Sequence, residues 1–179
     1  MINKQEFKDI GKELKKFEEE RESLIQKSRE IITLSKQIIY SIHRDDIKKA
    51  DVLAKTITSK AKSLSNKNYD MNMNNVAMQE YVEAVAFLEF IKNNKIPTRK
   101  ELKTEIEPYL CGLCDLTGEL VRKAVNSAIN KNTSEVIIIR EFIDQLYGEM
   151  LMFDFRNGEM RKKYDSIKWN LKKVEDIIL

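Results

Sequence analysis

Two pairs of carboxylates are the residues of this sequence best placed to do chemistry. Glu80 and Glu83 stand three apart in the run QEYVEAVAF, residues 79–87. On a helix, positions i and i+3 lie on one face, and Val76, Ala84, Phe87 and Ile91 share it. Acids are seldom buried among apolar residues unless they are paired, hydrogen-bonded or metal-bound. Asp115 and Glu119 stand four apart in GLCDLTGEL, residues 112–120, and share a face with Gly118, Arg122 and Asn126. If the two helices pack together, four acids converge. Like charges held that close need a counter-charge. A divalent cation supplies one, and Mg2+ or Mn2+ favours oxygen ligands and keeps several waters. Such an ion lowers the pKa of a bound water and stabilises charge on a phosphate in the transition state. The same spacing also describes a solvated face or a salt bridge, with Arg122, one turn after Glu119, as the partner. Gly112 and Gly118 are poor helix formers that make sense where a backbone or ligand must come close.

Other chemistries find less support. His43 is the only histidine, which excludes a two-histidine nuclease mechanism; at a helix end it reads as structural. Cys111 and Cys114 form a CxxC, but no second pair completes a zinc site and no βαβ pattern surrounds it. They read as small buried residues. No phosphate-binding glycine loop is present. With two cysteines, no apolar leader and no run near the roughly 18 apolar residues of a membrane span, a cytoplasmic protein is expected, away from membranes. The net charge of +3 is uneven, residues 1–70 holding 16 Lys and Arg against 12 Asp and Glu. That excess can face phosphates or simply solvate long helices. Lys48 and Lys49 lie in it and, with Arg122, are the candidate nucleic-acid contacts.

The elements that must position these residues are helical. Only 5 Gly and 2 Pro accompany 42% hydrophobic residues, a helix-rich composition. Phe7, Ile10, Leu14, Phe17, Leu24, Ile31, Ile38 and Ile42 form a heptad seam, interrupted by Arg21, Ser28 and Ser35; it predicts one unusually long first helix. Asp45 is expected to cap a second helix that carries Ile47, Ala50, Ala54, Ile57, Ala61 and Leu64. Residues 65–75 read as an Asn-rich loop, followed by a third helix over 75–93. Thr98 and Glu101 form a capping box for a short helix ending near Ile106. Pro108 suits the first turn of a fifth helix running to Asn130. Ser134 is expected to cap a sixth, whose β-branched start, residues 136–139, has no second strand to pair with. Asn157-Gly158 breaks the chain before a last heptad, Met160 to Ile178. The expectation is an all-α, single-domain bundle of about seven helices over residues 1–179.

EYVEA (80–84), GLCDLTGEL with VRKAVNSA (121–128), the first helix from Arg21 to Arg44 and the last from Arg161 to Leu179 together resemble the translin and translin-associated factor X family. The resemblance implies a seven-helix fold, an octameric shell with its acids inside, and binding of single-stranded RNA or DNA. In the factor X branch, acids hold metal and cut single-stranded RNA; the matching positions here are Glu80, Glu83, Asp115 and Glu119. The acidic motifs are similar to that catalytic branch and the tail to translin, as in a compact, archaeal-type homologue. The resemblance thus implies a metal-dependent endoribonuclease working as a homo-octamer. The alternative is a non-catalytic single-stranded nucleic-acid-binding protein whose acids are structural.

Overall fold

The seam read over residues 7–42 is one helix, α1 (Lys4–His43), about 60 Å long at 1.5 Å per residue. The computed structural model describes residues 2–64, 71–156 and 158–178, with the backbone alone for Met71 and Asn72. Asn3 caps α1 by accepting from the backbone N–H groups of Gln5 and Glu6. The second half of α1 is packed, with Leu24, Ile31, Ile38 and Ile42 buried; Phe7, Ile10 and Leu14 in its first half are exposed. The polar interruptions are satisfied where they are buried. Ser28 Oγ donates to Asn74 Oδ1 at 3.1 Å and Ser35 Oγ to the Ile31 carbonyl at 3.0 Å.

The remaining helices are α2 (Ile47–Lys62), α3 (Met71–Asn93), α4 (Arg99–Leu102), α5 (Ile106–Ile129), α6 (Thr133–Met150) and α7 (Glu159–Ile178), and the described residues contain no strand. Several ends differ from expectation. Asp46, not Asp45, caps α2, accepting from Lys49 N–H. Asp45 instead takes φ 58°, a left-handed conformation that Asp tolerates better than most residues. Asn132, not Ser134, caps α6. The capping box of Thr98 and Glu101 forms as read, but α4 stops at Leu102 because Lys103 turns left-handed at φ 52°. Of the expected loop, residues 65–70 lie outside the described residues, and helix begins already at Met71. Asn157 also lies outside them; Gly158 directly precedes α7.

The helix at the centre is α3. It packs against α1 on one side and α5 on the other; α7 lies against α5, α6 against α5 and α7, and α2 against α1 and α3. Every residue from Tyr81 to Leu88 is buried. A helix buried all round should be apolar all round, which makes its acids costly. Gly112 permits the close approach of α3 and α5: a Cβ there would stand 2.7 Å from the Gln79 carbonyl oxygen and 2.7 Å from Val82 Cβ. Gly118 does not do the same work, since its Cβ would meet nothing nearer than Asn170 Nδ2 at 4.0 Å. One cluster of buried apolar residues draws on all seven helices.

Candidate functional site

The contact of α3 with α5 brings the four sequence-predicted acids together. Glu80, Glu83, Asp115 and Glu119 line one open pocket of about 610 Å³. Helix α1 contributes Lys36, Ile39 and Tyr40 to its wall, α5 contributes Arg122 and α7 contributes Lys163.

Glu83 lies deepest, at 8% exposure. Burial, reinforced by the charges of Asp115, Glu80 and Glu119, pushes its carboxyl up to about 9 against the pull of Lys163. It is therefore a neutral acid near pH 7. Burial also raises Glu80, with Lys36 opposing and Asp115 adding to the shift. At Asp115 burial again raises the pKa and outweighs Lys163. Lys163 Nζ donates to Asp115 Oδ1 at 2.7 Å and also to Oδ2. Burial pulls the Lys163 pKa down, but the hydrogen bond and charge of Asp115 together carry it up. Glu119 accepts from a second partner, His43, whose Nε2 is 2.5 Å from Oε2. The His43 side chain is 3% exposed. Its ring lies on Phe87, with centroids 5.2 Å apart, and its Nδ1 is buried without a partner among the described residues.

The sequence reading takes His43 as structural and does not single out Lys163, so neither partnership with the acids is foreseen. Lys163 and His43 are 48 and 76 positions from the acids they serve, and no local pattern links them. The expected bridge from Arg122 to Glu119 is replaced by His43; Arg122 forms no ion pair among the described residues but lines the pocket. Asn126, read on the same face, lines a different pocket of about 470 Å³ with His43, Asp45 and Lys123. Lys48 and Lys49 are exposed on the first turn of α2 and do not line the acidic pocket. Cys111 and Cys114 are buried and unpaired, and burial pushes their thiols up to about 11 and about 12. They are packing residues, not thiolate nucleophiles.

The donor set fits a hard divalent cation, since it is all carboxylate oxygen in a partly dehydrated site. The raised Glu83 and Glu80 pKa values come first from burial, to which the neighbouring acids add. In this arrangement, however, no three acid, His or Cys side chains among the described residues stand close enough to hold one ion. Lys163 occupies both oxygens of Asp115, and His43 bonds one oxygen of Glu119.

Comparison with known proteins matches the sequence and the fold of this chain to one family. The chain is 31% identical over 167 residues to the uncharacterized protein MJ0175 of Methanocaldococcus jannaschii, covering 89% of this chain and 75% of that one. It is 28% identical over 194 residues to translin of Homo sapiens (95% and 84% of the two chains). It is 27% identical over 217 residues to translin-associated protein X of Mus musculus (95% and 75%). Among solved structures, apo-NeC3PO superposes with a TM-score of 0.91 at 31% identity, over 99% of this chain and 97% of that one. AfC3PO in its duplex RNA complex superposes with a TM-score of 0.83 at 25% identity, over 97% and 94%. The model of the translin family matches residues 19–179, and the chain belongs to that family.

Proposed function

We propose that this protein is a metal-dependent endoribonuclease that acts on single-stranded RNA as a homo-oligomer, an octamer by family resemblance. One observation carries the reading: four carboxylates from two helices converge in an open pocket, where burial, reinforced by the neighbouring acids, raises the Glu83 pKa to about 9. Glu80, Glu83 and Asp115 are the residues to hold Mg2+ or Mn2+, with Glu119 completing the set. When bound, the ion would stabilise phosphoryl charge and lower the pKa of the attacking water. Glu83 must first release its proton, and Lys163 must release Asp115. His43 holds Glu119 by one oxygen and leaves the other available. Lys36 and Arg122 stand at the wall, where their charges can meet substrate phosphates. AfC3PO, similar in fold, has been solved with duplex RNA, which supports RNA as the partner class.

A non-catalytic translin-type binding protein is the second reading. The observation in its favour is that Lys163 and His43 already satisfy two of the acids.

Digestion of single-stranded and duplex RNA with Mg2+, with Mn2+ and with a chelator separates the two. Cleavage should need the metal and favour the single strand. Glu83→Gln and Asp115→Asn should abolish it, by at least about a hundredfold if each carboxylate is a ligand, with helix content and oligomer size unchanged. If both variants cut RNA at the wild-type rate, the assignment of the site is wrong. If RNA binds but is never cut, the second reading stands.

A further inference from the structure

An acid-lined pocket attracts a polyanion poorly, and Lys36 and Arg122 at its wall leave a need for a second contact surface. Helix α7 supplies one. It carries six basic residues. Lys163 is committed to Asp115 in the pocket. Arg161 pairs with Asp165 at 3.2 Å and lies over the Tyr164 ring. The other four, Lys162, Lys168, Lys172 and Lys173, are exposed and have no ion-pair partner among the described residues. Between them stands Trp169, the only tryptophan of the chain, 64% exposed. Its ring has no aromatic or cation partner among the described residues.

Helical spacing sets these groups on one face. Lys172 and Lys173 lie three and four residues after Trp169 and Lys162 two turns before it, while Lys168, its chain neighbour, lies about 100° round the helix at the edge of that face. The row from Lys162 to Lys173 spans about 16 Å. The opposite face is buried through Tyr164, Ile167 and Val174, so the helix holds the indole on a fixed support. Two acids share this face at helical spacing from Trp169: Asp165, four residues before it, is paired with Arg161, and Asp176, two turns after it, is exposed and unpaired among the described residues; Glu175 at the edge is paired with Arg140.

We propose that this face of α7 is a binding platform for single-stranded RNA, with a base stacked on Trp169 and phosphates held by Lys162, Lys168, Lys172 and Lys173. A base stacks on an aromatic ring whatever its identity, and lysines track the backbone between stacks. The helix that carries the platform also reaches the pocket, through the bond of Lys163 to Asp115. A second copy of this chain is the competing occupant for an exposed tryptophan. Lysine is depleted from the cores of protein interfaces, and a two-fold contact through this face would set the lysines against their own copies. The inference rests on the proposed nuclease reading for its substrate but not for its test.

The sole tryptophan makes that test direct. An oligoadenylate of about 12 nucleotides is titrated in chelator, so that nothing is cut, and Trp169 emission is followed alongside anisotropy of the labelled RNA. Saturable quenching is expected, with the same midpoint as the anisotropy and a steep loss of affinity as salt rises. Trp169→Ala should weaken binding about fivefold to a hundredfold, and Trp169→Phe much less. Replacing Lys172 and Lys173 by Glu should weaken it at least as far and flatten the salt dependence. The platform is overturned if anisotropy reports binding while the emission stays unchanged, or if Trp169→Ala binds like wild type. It is also overturned if emission shifts with protein concentration alone and RNA has no further effect, since a second copy then covers the face. Quenching without any metal-dependent cleavage would retain the platform and reject the nuclease; cleavage with an unaltered Trp169→Ala variant would do the reverse.

Discussion

Glu83 concentrates the physics of the site. Its carboxyl ionises in the unfolded chain near 4.5 and in the folded protein near 9. Between those values the folded state binds the extra proton. Stability from this group is thus fully present below the unfolded pKa and is lost as pH rises through the folded one. In chelator, the melting temperature of the wild type should therefore fall relative to Glu83→Gln between about pH 5 and pH 9. Parallel profiles for the two proteins would show that Glu83 is not held neutral. Lys163 is the complementary case. Its ammonium bonds both oxygens of Asp115 in a half-buried setting, and hydrogen bonds to charged groups contribute about 1.5–3 kcal/mol. Lys163→Met should lower stability by roughly that amount in chelator. Mg2+ or Mn2+ should recover part of the loss, because an ion that binds only the folded state stabilises it. A loss that millimolar metal leaves untouched would argue against ligation by Asp115.

At the scale of the helix, the site depends on how closely α3 and α5 approach. Gly112 allows it, and the first atom a side chain would meet is the Gln79 carbonyl oxygen, which cannot rotate away. Gly112→Ala should destabilise the fold by up to about 2 kcal/mol, a clash of roughly 1–3 offset by the roughly 1 kcal/mol of alanine's better helix propensity. Denaturant unfolding measures this. Because the clash forces apart the two helices that carry the acids, RNA cleavage should fall by more than the loss of folded protein accounts for. Gly118→Ala is the control: with its nearest neighbour at 4.0 Å, it should be neutral or slightly stabilising.

For the whole molecule, the question is what covers α1. The heptad of α7 is taken up by the chain's own core through Tyr164, Ile167 and Val174, and so is the second half of α1. The surplus is the first half of α1, where Phe7, Ile10 and Leu14 are 60%, 41% and 59% exposed. Such a row calls for an apolar partner. Light scattering should report a large homo-oligomer at micromolar concentration, and Phe7→Ser with Leu14→Ser should reduce its mass while leaving helix content unchanged. A wild-type monomer would reject assembly through this helix and weaken the idea of an enclosed site. Among the described residues, no helix is long and apolar enough to cross a membrane.

The sequence by itself determined whatever depends on neighbours a few positions away. Helical periodicity, the capping box at Thr98 and the pairing of Glu80 with Glu83 and of Asp115 with Glu119 are all set within one or two turns. The family motifs then implied that the two acidic faces meet, and α3 and α5 do bring them together. Cap positions slipped by one or two residues because Asp45 and Asp46, or Asn132 and Ser134, offer equivalent oxygens; the left-handed turns at Asp45 and Lys131 choose between them. Only the tertiary structure decided the counter-charges. Arg122 is one turn from Glu119 and looked like its partner, yet His43 arrives from the end of α1, and Lys163 reaches Asp115 from α7. The same holds for the glycines, equal in propensity, of which only Gly112 faces a neighbouring backbone. Which helix faces meet is set by the packing of all seven around α3, and no window along the chain contains that information.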